Sequence, residues 1–149
     1  MGTIDQEIKA NFIDGRHRLL ANITFTSAWM HNMFNDFLKP YKLSSQQFNI
    51  LRILRGTGDW MPMNDVKGRM VDRSPNATRL VDKLLQKGYL ERQRSEKDRR
   101  VVFIKISEAG LDLLEEIDKA GEPEAFKATN KITEEEANMV NEILNKLRG

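Results

Sequence analysis

Apolar residues recur at Ile8, Phe12, Leu19, Leu20, Ile23, Met30, Met33, Phe34, Phe37 and Leu38, in a stretch that carries no proline and one glycine, Gly15. That spacing is helical and predicts one long helix from Asp5 to Leu38, ended at Lys39-Pro40 because the residue before proline is pushed out of the α region. A helix of that length is too long for a small domain to cover from one side, so part of its apolar face meets another chain. Ser44 starts a second helix, with Gln47 as its capping-box partner and Leu43 opposite Phe48 as a hydrophobic staple. Phe48, Leu51, Ile53 and Leu54 supply its buried side, and Gly56-Thr57-Gly58 stops it. DWMP then reads as a connector into MNDVKGRM, a weaker helix in which Gly68 costs roughly 1 kcal/mol relative to alanine.

The run SPNATRLVDKLLQKGY is better specified. Ser74 reads as an N-cap, Pro75 as the first helical residue and Gly88 as the terminator. Ala77, Leu80, Val81, Leu84 and Leu85 form one apolar stripe; Asn76, Arg79, Lys83 and Gln86 fall opposite, with Thr78 beside them. The period then switches to two. Leu90, Arg92 and Arg94 alternate with Glu91 and Gln93, and Val101, Phe103 and Lys105 alternate with Val102, Ile104 and Ile106. These are two strands joined by the loop SEKDRR. Ser107 caps a further helix interrupted by Gly121 and Pro123, and Thr133 with Glu136 caps a last one carrying Val140, Ile143, Leu144 and Leu147. The fold class is mostly α with a small β-hairpin wing: two short helices and a hairpin make a winged helix-turn-helix, flanked by N- and C-terminal helices.

Composition narrows the function. The 149 residues make one ordinary domain, and no apolar run approaches the ~20 residues of a membrane span. The N-terminus has no export signal, which places the chain in the cytoplasm. The absence of cysteine excludes disulfides, thiolate zinc sites and thiol chemistry. Net charge is only +2, yet residues 67–105 hold twelve Lys/Arg against five Asp/Glu, leaving twelve basic and seventeen acidic side chains to the rest. One central segment is therefore the basic face.

That face suits DNA. A helix fits the major groove, where Arg79 can bond guanine, Asn76 or Gln86 adenine, and Thr78 a base or phosphate, with Ser74 and Lys83 in reach of the backbone. A plain amphipathic helix with a solvated polar face would look the same. The hairpin separates the two readings. Its tip, RSEKDRR, packs four basic and two acidic side chains around one serine, where a loop without a binding role carries Gly, Asn or Pro. Arg99 or Arg100 is suited to the negative minor groove, Asp98 to bracing a neighbouring arginine, and Arg94 and Lys97 to phosphates.

The run SPNATRLVDKLLQKGYLERQRSEKDRRVVFIKISEAG resembles the MarR-type (multiple antibiotic resistance) bacterial transcriptional regulators. Thr78-Arg79, Leu84, Gly88, Leu90-Glu91-Arg92, the triplet Asp98-Arg99-Arg100 and Ser107-Glu108-Ala109-Gly110 carry the resemblance. It implies a homodimeric winged-helix protein that binds double-stranded, near-palindromic operator DNA, with about residues 1–40 and 111–149 as dimerisation helices and about 44–107 as the DNA-binding lobe. It also implies a repressor released by a small lipophilic or phenolic effector. Candidate effector residues are Trp29, Met33, Phe34 and Trp60, with Tyr41 as a polar handle, although each is also an ordinary packing residue.

No cofactor is expected. His17 and His31 return to one side of a helix but stand ~21 Å apart by helical rise, too far to share a metal ion. The chain has no phosphate loop, HExxH or nucleophile elbow, so an enzyme is not expected. The rival reading is a winged helix whose basic face binds an acidic protein partner.

Overall fold

Short side-chain caps, more than long apolar periods, decide where the helices of this chain begin. The structure, a computed structural model, describes residues 2–73 and 75–149. Its elements run α1 (Ile4–Ile8), α2 (Gly15–Leu38), a 3-10 turn (Lys39–Tyr41), α3 (Ser45–Thr57), β1 (Met61–Pro62), α4 (Met63–Arg69), α5 (Ala77–Gln86), β2 (Leu90–Arg94), β3 (Val102–Ile106), α6 (Glu108–Lys119), α7 (Glu124–Thr129) and α8 (Glu134–Arg148).

The single helix expected from Asp5 to Leu38 is two. Lys9 turns left-handed at φ 48° and closes α1. Asp14 opens α2, its Oδ1 accepting the Arg16 amide at 2.8 Å and the His17 amide at 2.9 Å. A carboxylate that takes two free amides of a first turn favours a new start over continuation of the old helix. The His17 amide above all, opposed by slight desolvation and helped by the Arg16 amide and the His17 ring, holds the Asp14 carboxyl below its ordinary value. The cap is therefore complete at neutral pH and is lost as acid protonates it.

The helices before Leu38 and those after Gly121 form one unit; Leu38 to Gly121 form the other. The central unit is closed around Leu38, Ile50, Leu51, Leu54, Val66, Leu84, Ile104, Leu114 and Ile117. α3 enters it through the expected capping box: Ser44 Oγ accepts the Gln47 amide at 3.1 Å, and Gln47 Oε1 accepts the Ser44 amide at 3.1 Å. Gly58, left-handed at φ 68°, ends that helix.

The sheet has three antiparallel strands in the order β1-β3-β2, not two. Leu90 faces Ile106 and Arg92 faces Ile104 across β2 and β3. On the other edge of β3, Met61 faces Ile104 and Pro62 faces Phe103. DWMP was expected as a bare connector. Two residues are too few to show a period of two, and Pro62, lacking an N–H, fits only an edge strand.

In the unit of terminal helices, Ile4 and Ala125 are buried and Phe34 meets Phe126 edge to face at 5.3 Å. Much of its apolar surface is not covered: Leu20, Met139, Val140, Ile143 and Leu147 are all about half exposed or more. Thr133 and Glu136 form the capping box expected for α8. Among the described residues no helix is long and apolar enough to cross a membrane.

Gly110 is the most closely packed glycine of the central unit. A Cβ there would fall on the Tyr89 carbonyl oxygen and within 2.7 Å of Ile106 Cγ1. Neither atom is a flexible chain end, so Gly110→Ala should destabilise the fold by about 1–3 kcal/mol through overpacking. Urea denaturation followed by circular dichroism would measure it as a lower midpoint with an unchanged slope.

Candidate nucleic-acid interface

α5 is held by one face and open on the other. Ala77, Val81 and Leu84 are buried, while Thr78, Arg79, Asp82, Lys83 and Gln86 are exposed. The helix starts at Ala77, later than expected. Pro75 and Asn76 lie in a turn, and the first main-chain bond runs from the Leu80 amide to the Asn76 carbonyl at 3.0 Å. Ser74, read from the sequence as the cap, lies outside the described residues. Asn76 sits at the helix boundary itself, with φ −85° and ψ 7°. The far end closes as expected on Gly88 at φ 79°, where the Tyr89 amide reaches the Leu84 carbonyl and the Gly88 amide the Leu85 carbonyl, each at 3.0 Å. Lys87 then donates from Nζ to the Lys42 carbonyl at 2.6 Å, tying this end of α5 to the turn before α3.

The wing is built onto the same frame. The Ser107 hydroxyl donates to the Gly88 carbonyl at 2.6 Å and accepts the Gly110 amide at 3.1 Å, so one residue links the loop after α5 to the start of α6. At the strand end the Ser95 amide donates to the Val101 carbonyl, and the Val101 amide to the Asp98 carbonyl, both at 3.0 Å. Ser95 Oγ accepts the Lys97 amide at 3.2 Å and the Asp98 amide at 3.3 Å. Asp98 Oδ1 accepts the Arg100 amide at 3.0 Å and Arg100 Nε at 3.3 Å. Asp98 thus braces an arginine, and that arginine is Arg100, whose side chain is 93% exposed. Its Nη groups remain free to donate elsewhere. Arg94, Lys97 and Arg99 are exposed and make no ion pair among the described residues.

Two side chains given no functional role from the sequence join helix to wing. Arg92 Nη1 on β2 stands 3.6 Å from Asp82 Oδ1 on α5. Both are about half exposed, so the pair is worth only ~0–1 kcal/mol. Its effect is to cancel the one carboxylate on the open face of α5. The alternation that puts Arg92 on the face of Leu90 was legible; its partner on another element was not. Between α4, α5 and the wing lies a cleft of about 300 Å³ lined by Pro62, Met63, Thr78, Val81, Arg92 and Arg100, among others.

The proposed effector residues are each half-buried. Trp29, Met33 and Phe34 lie on α2, Phe34 being the ring against Phe126; Tyr41 lies in the 3-10 turn and Trp60 just before β1. His17 contacts Asp14 through Nδ1 at 3.1 Å. Among the described residues no group of three His, Asp or Glu is placed to hold a metal ion.

The model of the MarR family matches residues 43–102, from the residue before the α3 cap to the first residue of β3. The HTH-type transcriptional regulator MhqR of Bacillus subtilis (strain 168) is 31% identical over 118 residues, 79% of this chain and 81% of that protein. Among solved structures, a mutant MarR from E. coli complexed with operator DNA has a TM-score of 0.77 at 22% identity, covering 93% of this chain and 99% of its own. The organohalide-sensing regulator RdhR in its 2,4-dichlorophenol-bound form has a TM-score of 0.75 at 25% identity, covering 91% and 80%.

The Asp98 brace is directly testable. Asp98→Asn should leave the fold and α5 unchanged while ¹⁵N relaxation shows faster, larger motion of the Arg99 and Arg100 amides on the ps–ns timescale. Unaltered order parameters at the tip would show that strand pairing alone fixes it.

Proposed function

We propose, for a chain that belongs to the MarR family of DNA-binding transcriptional regulators, that it acts in the cytoplasm as a homodimer on a near-palindromic operator. In this reading α5 enters the major groove and the wing the adjacent minor groove. The observation that carries it is the pairing, within one unit, of an open polar face on α5 with an exposed arginine held in place at the wing tip. Arg79 is then the base reader, with Asn76 and Thr78 beside it and Ser74 and Lys83 at phosphates. Arg100 is the minor-groove probe: its brace removes side-chain freedom before binding, so less is lost on insertion. Arg94, Lys97 and Arg99 serve the phosphates. The family is one of regulators, not enzymes, and it favours DNA over an acidic protein as the partner of the basic face.

The exposed apolar residues of α8 and α2 support the dimer, since a helix with such a stripe gains stability by covering it. A two-fold dimer matches two half-sites about one helical turn apart. We read the protein as a repressor, released when an effector favours a dimer with wrongly spaced recognition helices. An effector does this only through different affinities for the two states. The phenol-bound regulator among the similar structures supports a phenolic or lipophilic ligand, for which Trp29, Met33 and Phe34 in one unit and, separately, Tyr41 and Trp60 in the other are the candidate residues.

Selection from random duplex pools should yield a preferred sequence whose affinity falls steeply with salt. Arg79→Ala should then cost about 1–3 kcal/mol at one base position and relax specificity there, whereas Lys97→Ala should weaken all sequences alike. Asp98→Ala removes a negative charge from a DNA-facing tip, yet should weaken binding because Arg100 loses its brace; tighter binding would refute that role. Tryptophan fluorescence should respond to a phenolic compound in a ligand panel, and a signal unchanged across the panel would remove the effector assignment.

A further inference from the structure

Val71 is the most exposed large hydrophobic side chain among the described residues, at 91%. It lies in the connection between α4 and α5, directly after Met70, which is 3% exposed. The main chain around it is clamped. The Val71 amide donates to Asn49 Oδ1 on α3 at 3.1 Å, and the next carboxylate, Asp72, accepts from Gln46 Nε2 one turn earlier on the same helix. Arg73 Nη2 reaches back to the Gly68 carbonyl at 3.4 Å. Three side-chain bonds thus fix the residues on both sides of an apolar group that itself touches water.

A single exposed valine is ordinary on a protein surface; what sets this one apart is the clamped main chain around it. β-branching leaves Val71 few χ1 states, so its methyl groups are presented with little rotamer freedom to lose. Arg69 and Arg73, both exposed, flank it, so an anionic partner is favoured around an apolar point of contact. DNA combines these features: phosphates for the arginines, and in the major groove the 5-methyl group of thymine, which is read by apolar contact.

We propose that Val71 is a specificity-determining residue that reads a thymine methyl at the edge of each half-site, and that Asn49 and Gln46 are positioning residues that hold it there. This rests on the reading of α5 as the major-groove helix. Val71 precedes the N-terminus of α5 in the chain, which assigns it a thymine beside the bases read by Arg79.

The test uses the full-length protein and its selected operator, with each thymine replaced in turn by deoxyuridine, which lacks only the methyl group. Wild type should lose about fourfold in affinity at one thymine per half-site, the worth of one methyl group withdrawn from water. Val71→Ala should lose a similar factor on unmodified DNA and nothing further at that thymine. Asn49→Ala should also blunt the deoxyuridine effect while keeping the base preference set by Arg79. Equal deoxyuridine effects in wild type and Val71→Ala at every position would overturn the assignment of Val71. Full deoxyuridine discrimination in Asn49→Ala would overturn its positioning role. A wild-type protein that selects no duplex would overturn the regulator reading along with this one, whereas selective binding without the coupling overturns this one alone.

Discussion

The open face of α5 points outward only because its other face is sealed. Ala77, Val81 and Leu84 are all at most 3% exposed, in a core shared with Leu51 and Leu54 of α3 and Ile104 of β3. Rotating the helix by one residue would bring Thr78 or Asp82 into that core without a partner, which costs far more than any contact the rotation offers. The direction of Arg79, Lys83 and Gln86 is therefore set by apolar packing on the opposite side. The wing inherits the same anchor, since Ile104 faces Arg92 of β2 on one edge and Met61 of β1 on the other. Ser107 and Gly110 then lock the wing base to the end of α5.

Beyond that core the tip is ordered differently. No buried side chain holds residues 95–100; Ser95 and Asp98 do so with short-range bonds to amides and to one guanidinium. Each such bond is weak in water, but together they select one loop shape. The same device recurs at the connection before α5, where Asn49 and Gln46 hold main chain and carboxylate from the side. Charge contributes mainly by placement. Asp82 and Asp98 each pair with an arginine, while Arg79, Lys83, Arg94, Lys97 and Arg99 are exposed and make no ion pair among the described residues.

The terminal helices obey another constraint. α8 has no buried residue, and its Met139, Val140, Ile143 and Leu147 are half exposed. A helix of this kind is stabilised by packing its apolar stripe more than by its own propensity. Its capping box and its acidic first turn, Glu134 to Glu136, define where it starts but not what it packs on.

By itself the sequence determined most of what rests on local chemistry. The caps at Ser44, Ser107 and Thr133, the stop at Gly88, the stripe of α5 and the switch to period two are all written in residues a few positions apart, because hydrogen bonds to free amides and helical or strand periodicity act over that range. The Asp98–Arg100 brace was legible for the same reason, at a separation of two residues. The break at Asp14 was written too, but a long helical period overshadowed a single capping carboxylate. What spans distant parts of the chain was decided only in the tertiary structure: β1 pairing on β3, Arg92 meeting Asp82, Lys87 reaching Lys42, and α3 holding Val71 outward. In each of these the partner is chosen by packing of the core between them, which no local pattern encodes.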